Sequence, residues 1–74
     1  MASVEEISSA AERLEAEVPM QERGEFDNAV AHALNLAQET DPAMLERLAR
    51  DYGELDPLQR KWYDRLVDVL DGRP

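Results

Sequence analysis

Asp41-Pro42-Ala43-Met44-Leu45-Glu46-Arg47-Leu48-Ala49-Arg50-Asp51-Tyr52-Gly53-Glu54-Leu55-Asp56-Pro57 begins and ends on the same helix-start signal. An Asp can accept hydrogen bonds from the free amides of a first helical turn. The Pro after it has no amide to satisfy and a backbone angle already suited to the first position. The Asp-Pro pair therefore starts a helix, and it occurs twice, with Pro42 and Pro57 15 residues apart. Between the two signals Met44, Leu45, Leu48 and Tyr52 recur at helical spacing. They predict a helix over 42–52 with those four residues turned inward and Gly53 at the C′ position. The second pair predicts a last helix over 57–71, closed by Gly72. Beyond the shared caps no side-chain pattern repeats, so the pairs are punctuation and not a duplication.

Working toward the N-terminus, Thr40-Asp41-Pro42 also ends a helix predicted over 25–39. Its apolar set, Phe26, Ala29, Val30, Ala33, Leu34, Leu36 and Ala37, covers well over a third of the circumference, which suits a central helix. Met20–Gly24 reads as a connection. Upstream of it, Ser3 and Glu6 form a capping box, and Val4, Ile7, Ala11, Leu14 and Val18 lie on one stripe. Pro19 disfavours a helical backbone at Val18, so this first helix is predicted over 4–18. Nothing alternates with period two for long enough to make a strand. The expectation is an all-α fold, a compact bundle of four short helices in one domain over 1–74, with the second and fourth helices central.

The last helix carries more apolar surface than one core contact requires. Leu58, Trp62, Leu66 and Val69 form one face, and Tyr63, Val67 and Leu70 an adjoining shoulder. Either the helix is wedged between two others, or the shoulder is a dimer or partner surface, where aromatic residues are enriched.

With 74 residues and no cysteine, the chain has neither disulfides nor thiolate–zinc sites to staple it, and no cysteine nucleophile. Hydrophobic residues at 43% argue against wholesale disorder. The opening Met1-Ala2-Ser3-Val4-Glu5-Glu6 has no basic and apolar leader pattern, and Ala2 is not the glycine of an acylation site. No apolar run approaches membrane-spanning length. The expected location is the cytoplasm.

Catalytic chemistry finds little support. His32 is the one histidine; Ala29 stands where a Glu-x-x-His metal motif would need its carboxylate. The helical wheel places His32 at the edge of the apolar arc, a partly exposed flank position. No calcium-loop pattern is present, and Gly24, Gly53 and Gly72 are too dispersed to cradle a phosphate. No catalytic residue, metal ligand or cofactor is assigned. Arg60, Lys61 and Arg65 interleave with Asp64 and Asp68, a mixed face more typical of a solvated salt-bridge surface than of phosphate contacts. Glu46–Arg50 and Arg47–Asp51 read as neutralising pairs on the third helix.

Charge supplies the functional clue. Residues 1–41 hold ten acidic and two basic side chains, a net of 2 − 10 = −8; residues 42–74 hold six basic and seven acidic, a net of −1. Glu5 and Glu12 lie opposite the apolar stripe of the first helix, with Glu15 on its shoulder, and Glu22, Glu25 and Asp27 follow around the start of the second. A one-sided anionic surface attracts basic partners and repels nucleic acid and anionic membranes. Solubility alone accounts for an acidic face as well. In size, charge and helicity the chain resembles the small acidic phage proteins that block host DNA-binding machinery, anti-CRISPR proteins and other DNA mimics among them. Seven arginines against one lysine also fit a GC-rich bacterial or phage genome.

Two functions follow as expectations. One is a non-enzymatic inhibitor of a basic, nucleic-acid-handling partner, with Glu5, Glu12, Glu15, Glu22, Glu25 and Asp27 supplying the electrostatics. The other is an interaction or regulatory module that dimerises or docks through Tyr63, Val67 and Leu70.

Overall fold

The computed structural model describes residues 3–72; Met1 and Ala2, read above for a leader and an acylation site, lie outside it, as do Arg73 and Pro74. Among the described residues the chain forms four α-helices and one 3-10 turn.

Helix α1, Val4–Glu15, opens on the expected capping box. Ser3 Oγ accepts from the Glu6 amide at 3.2 Å, and Glu6 Oε1 accepts from the Ser3 amide at 3.4 Å. It ends three residues before the expected Val18. The Glu17 and Val18 amides bond to the carbonyls of Leu14 and Glu15, three residues back, so the last turn tightens ahead of Pro19. Val18 is nevertheless buried. Its place on the apolar stripe reported burial correctly, while the proline removed the helical backbone.

The 3-10 turn Met20–Glu22 makes the connection, and α2, Arg23–Gln38, follows directly. It starts two residues earlier than expected and carries Gly24 in its first turn. Helix α3, Pro42–Glu54, begins as its Asp-Pro signal requires, with Asp41 Oδ1 accepting from the Ala43 amide at 3.0 Å. It runs through Gly53 instead of stopping there. The chain leaves the helix at Leu55, whose backbone is extended (φ −64°, ψ 143°), so Gly53 is not a left-handed cap. Helix α4, Pro57–Leu70, starts with Gln59 Oε1 accepting from the Asp56 amide at 3.3 Å. Gly72, at φ +78°, closes it as expected, in the left-handed region that a glycine enters without strain.

Helices α2 and α4 form the central pair, and α1 packs on both. The core joins Ile7, Ala10 and Leu14 of α1 to Phe26, Ala29 and Ala33 of α2 and to Trp62 and Leu66 of α4. Ala29 has no exposed surface, consistent with a small residue allowing close helix approach. Phe26 and Trp62 meet edge to face, with centroids 5.8 Å apart at 90°. The Cα radius of gyration, 11.9 Å, is near the roughly 11 Å of a closely packed chain of this length.

Helix α3 departs from expectation. None of its residues is buried. Met44 is exposed, and Leu45, Leu48 and Tyr52 are half-buried. Helical periodicity assigns a residue to a face but says nothing about what covers that face, and α3 leans chiefly on α2 at the margin of the core. Leu58, placed on the inner face of the last helix, is likewise exposed. It lies in the first turn of α4, before the helix reaches the core.

Among the described residues no helix is long and apolar enough to cross a membrane.

The burial pattern sets an expected contrast in stability. Leu66→Ala, at a fully buried position, should cost about 2–5 kcal/mol in urea unfolding. Leu58→Ala, at an exposed one, should stay within about 0.5 kcal/mol. Equal losses at the two sites would contradict the assigned core.

Candidate partner-binding surfaces

The acidic residues divide by what they already hold. Arg23 pairs with Glu15 at 2.7 Å, Lys61 with Glu22 at 3.1 Å and Arg65 with Glu17 at 3.7 Å. Glu22 is the most committed of these: its Oε1 also accepts from Trp62 Nε1 at 3.0 Å. Lys61 Nζ lies 4.7 Å from the centre of the Trp62 ring, so one carboxylate, one ammonium and one indole form a closed cluster. Hydrogen bonds from Lys61 and Trp62 hold the Glu22 carboxyl below the usual carboxylate range. The cluster ties the 3-10 turn to α4 and satisfies the indole N–H that burial of Trp62 would otherwise strand.

Glu15 and Glu22 thus make internal contacts. Glu25 is half-buried, and its Oε2 is enclosed without a hydrogen-bond partner. Glu5, Glu12 and Asp27 are exposed and, among the described residues, enter no ion pair within 4.0 Å. Glu5 and Glu12 point away from the buried Ile7, Ala10 and Leu14 of the same helix. Of the six acids named from the sequence, α1 brings these two onto one outward face, and α2 presents Asp27 separately.

The mixed face of α4 is neutralised differently from its local pattern. Lys61 and Arg65 reach acids of residues 17–22, and Arg60 Nη2 donates to the Leu55 carbonyl at 3.3 Å. Asp64 accepts from the Tyr52 hydroxyl at 2.6 Å, a latch between α3 and α4. The expected Glu46–Arg50 and Arg47–Asp51 pairs are not among the ion pairs formed. On an exposed helix face such pairs are worth only a few tenths of a kcal/mol, too little to hold two long side chains in place.

The apolar shoulder of α4 lines a cleft of about 250 Å³. Tyr63, Val67 and Leu70 form one wall, Leu36 and Ala37 of α2 and Leu45 of α3 the other, over the core residues Ile7, Ala33 and Leu66. At the far end of α4, Leu70 also borders a second depression, shared with Val69 and with Glu5, Glu6, Ser9, Ala10 and Arg13 of α1. The two surfaces inferred from the sequence, acidic α1 and apolar α4, therefore meet at Leu70.

His32 corrects its expected exposure: it is buried, at 8% of its accessible surface. The wheel put it at the rim of the apolar arc, but Tyr63 of α4 closes over it, with ring centroids 5.3 Å apart. Tyr63 in turn contacts Tyr52 at 5.2 Å, so an aromatic ladder joins α2, α4 and α3. Burial lowers the His32 pKa, opposed in part by the charge of Asp51, and Nε2 has no hydrogen-bond partner. Burial raises the Tyr63 pKa, and the bond to Asp64 raises that of Tyr52. No three His, Asp or Glu side chains among the described residues are grouped to hold a metal ion.

These shifts fix the direction of the pH response. His32 titrates lower in the folded state than its ordinary 6.5, so the unfolded chain takes up that proton first. Stability is full above about pH 6.5 and falls as the pH drops toward the folded value. Glu22, lowered from 4.5, adds a second loss as the pH falls from there through its own folded value. The wild-type urea midpoint should fall between about pH 7 and about pH 5, and His32→Leu should flatten that segment while keeping the loss at lower pH. A wild-type midpoint constant over that range would refute the assignment.

Comparison of the chain with protein-family models, with curated proteins and with solved structures finds no match.

Proposed function

We propose that this chain is a non-enzymatic inhibitor that binds a basic, nucleic-acid-handling protein through the outer face of α1. The supporting observation is the distribution of ion pairs. Arg23, Lys61 and Arg65 are drawn to Glu15, Glu17 and Glu22, and Glu5, Glu12 and Asp27 are left exposed with no ion pair among the described residues. A chain with net charge −9 repels itself, and a cationic partner relieves that repulsion where internal cations do not. Glu5 and Glu12 are two helical turns apart, about 10 Å along the axis, so one rigid helix holds both carboxylates at a fixed separation. Rigidly held, exposed carboxylates suit a cationic groove of the kind that binds phosphates, as in the small acidic phage inhibitors and DNA mimics that the sequence resembles in class.

A second reading, a module that dimerises or docks through α4, draws on the convergence of Tyr63, Val67 and Leu70 on one cleft. It predicts association that tolerates salt.

The test is a pull-down from the source cell, eluted with a salt gradient and identified by mass spectrometry, with the wild-type chain and a Glu5→Lys/Glu12→Lys/Asp27→Lys variant run in parallel. DNA- or RNA-binding proteins should leave the wild type at low salt, and the variant should bind them at least about tenfold more weakly. Undiminished capture by the reversed-charge chain would eliminate this function.

A further inference from the structure

We infer that the cleft beside α4 receives the apolar side chains of a basic amphipathic segment of the partner, with Glu5 and Glu6 facing that segment's cations. This inference rests on the reading of the partner as basic, and it adds where the partner is held and by what kind of surface.

The lining argues first against other occupants. Leu36, Ala37, Leu45, Tyr63, Val67 and Leu70 bring no charged group to the cleft walls. Its volume, about 250 Å³, lies below the roughly 300–1,000 Å³ of sites that enclose a cofactor or a drug-sized ligand. One or two large apolar side chains fill such a space, which is how anchor residues at interfaces act.

Charge then selects the partner. The cleft adjoins at Leu70 a depression lined by Glu5, Glu6 and Arg13, and Glu5 is in no ion pair among the described residues. Asp71, next in the chain after Leu70, is exposed. An apolar anchor in the cleft therefore places the next turn of a bound helix, about 5.4 Å on, over a region where, among the described residues, carboxylates outnumber cations. Lys or Arg at that turn completes the contact, and Glu or Asp is repelled. A second copy of this chain meets the opposite condition. In a twofold pair each copy would bring its own acidic edge to the other, adding −9 to −9.

The probe is a synthetic peptide of about 16 residues with leucines at i, i+3, i+4 and i+7 and lysines elsewhere, titrated against isotopically labelled protein. It should shift the methyl signals of Leu36, Leu45, Val67 and Leu70. It should also bind about tenfold more tightly than a scrambled peptide of the same composition. Ala37→Leu, which fills the cleft, and Leu70→Ala, which removes part of its wall, should each weaken the amphipathic peptide about tenfold and leave the scramble unchanged. Circular dichroism checks that each variant folds. Glu5→Lys/Glu12→Lys should reduce the salt-dependent binding of both peptides while the cleft methyl shifts persist.

Equal affinity for the scramble, or shifts confined to α1, overturns the cleft and leaves the electrostatic function standing. Equal affinity for a counterpart with Glu in place of Lys overturns the inference together with the reading beneath it. A molecular mass that doubles with concentration, and no longer does so in Ala37→Leu, identifies a second copy as the occupant and overturns the inference as well.

Discussion

Phe26 and Trp62 meet edge to face on the two central helices, and the rest of the molecule is arranged around the need to keep that contact dry. A chain this short buries only about 60–65% of the surface its unfolded form exposes, so each large core residue matters more than it would in a bigger domain. Trp62 is the largest residue in the core, and it brings a polar N–H with it. Glu22 resolves that conflict by accepting a hydrogen bond from the indole N–H, with Lys61 over the ring. Helix α1 then caps the remaining side of the pair through Ile7, Ala10 and Leu14.

This constraint also shapes the electrostatics. The N-terminal excess of negative charge falls into two sets with different physical roles. Glu15, Glu17 and Glu22 lie close to the α1–α2 junction and engage Arg23, Lys61 and Arg65. Glu5 and Glu12 lie farther along α1 and face solvent. The more neutral C-terminal half supplies two of those three cations, so its balanced composition is partly spent on the other half of the chain.

How much of this was legible in the sequence depended on the range of the interaction. Ser3 with Glu6, Asp41 with Ala43 and Asp56 with Gln59 each act within three residues, and their signals located the starts of α1, α3 and α4. The bond from Lys61 to Glu22 spans 39 residues and that from Trp62 spans 40, and no local pattern announces either. The burial of His32 is hidden from the sequence for the same reason, since it depends on Tyr63 from another helix. Gly53 reads as a stop because glycine so often ends helices, yet the extended backbone before Pro57 ends α3 instead. The apolar shoulder of Tyr63, Val67 and Leu70 was visible as excess apolar arc on one helix. That it shares a cleft with Leu36, Ala37 and Leu45 required the tertiary packing.

The absence of buried residues from α3 has a consequence for how stability is distributed. Proteins open in cooperative units, and a unit with few buried contacts opens at a lower free energy than the core it rests on. Here the three-helix core holds together through α1, α2 and α4, and α3 adds the Tyr52–Asp64 latch and the half-buried Leu45 and Leu48. That difference in burial sets a lower opening free energy for α3 than for α2 and α4, so the α3 backbone amides are expected to exchange first. Because α3 supplies Leu45 to the lining of the apolar cleft, local opening of α3 would widen that cleft while the three-helix core stays folded.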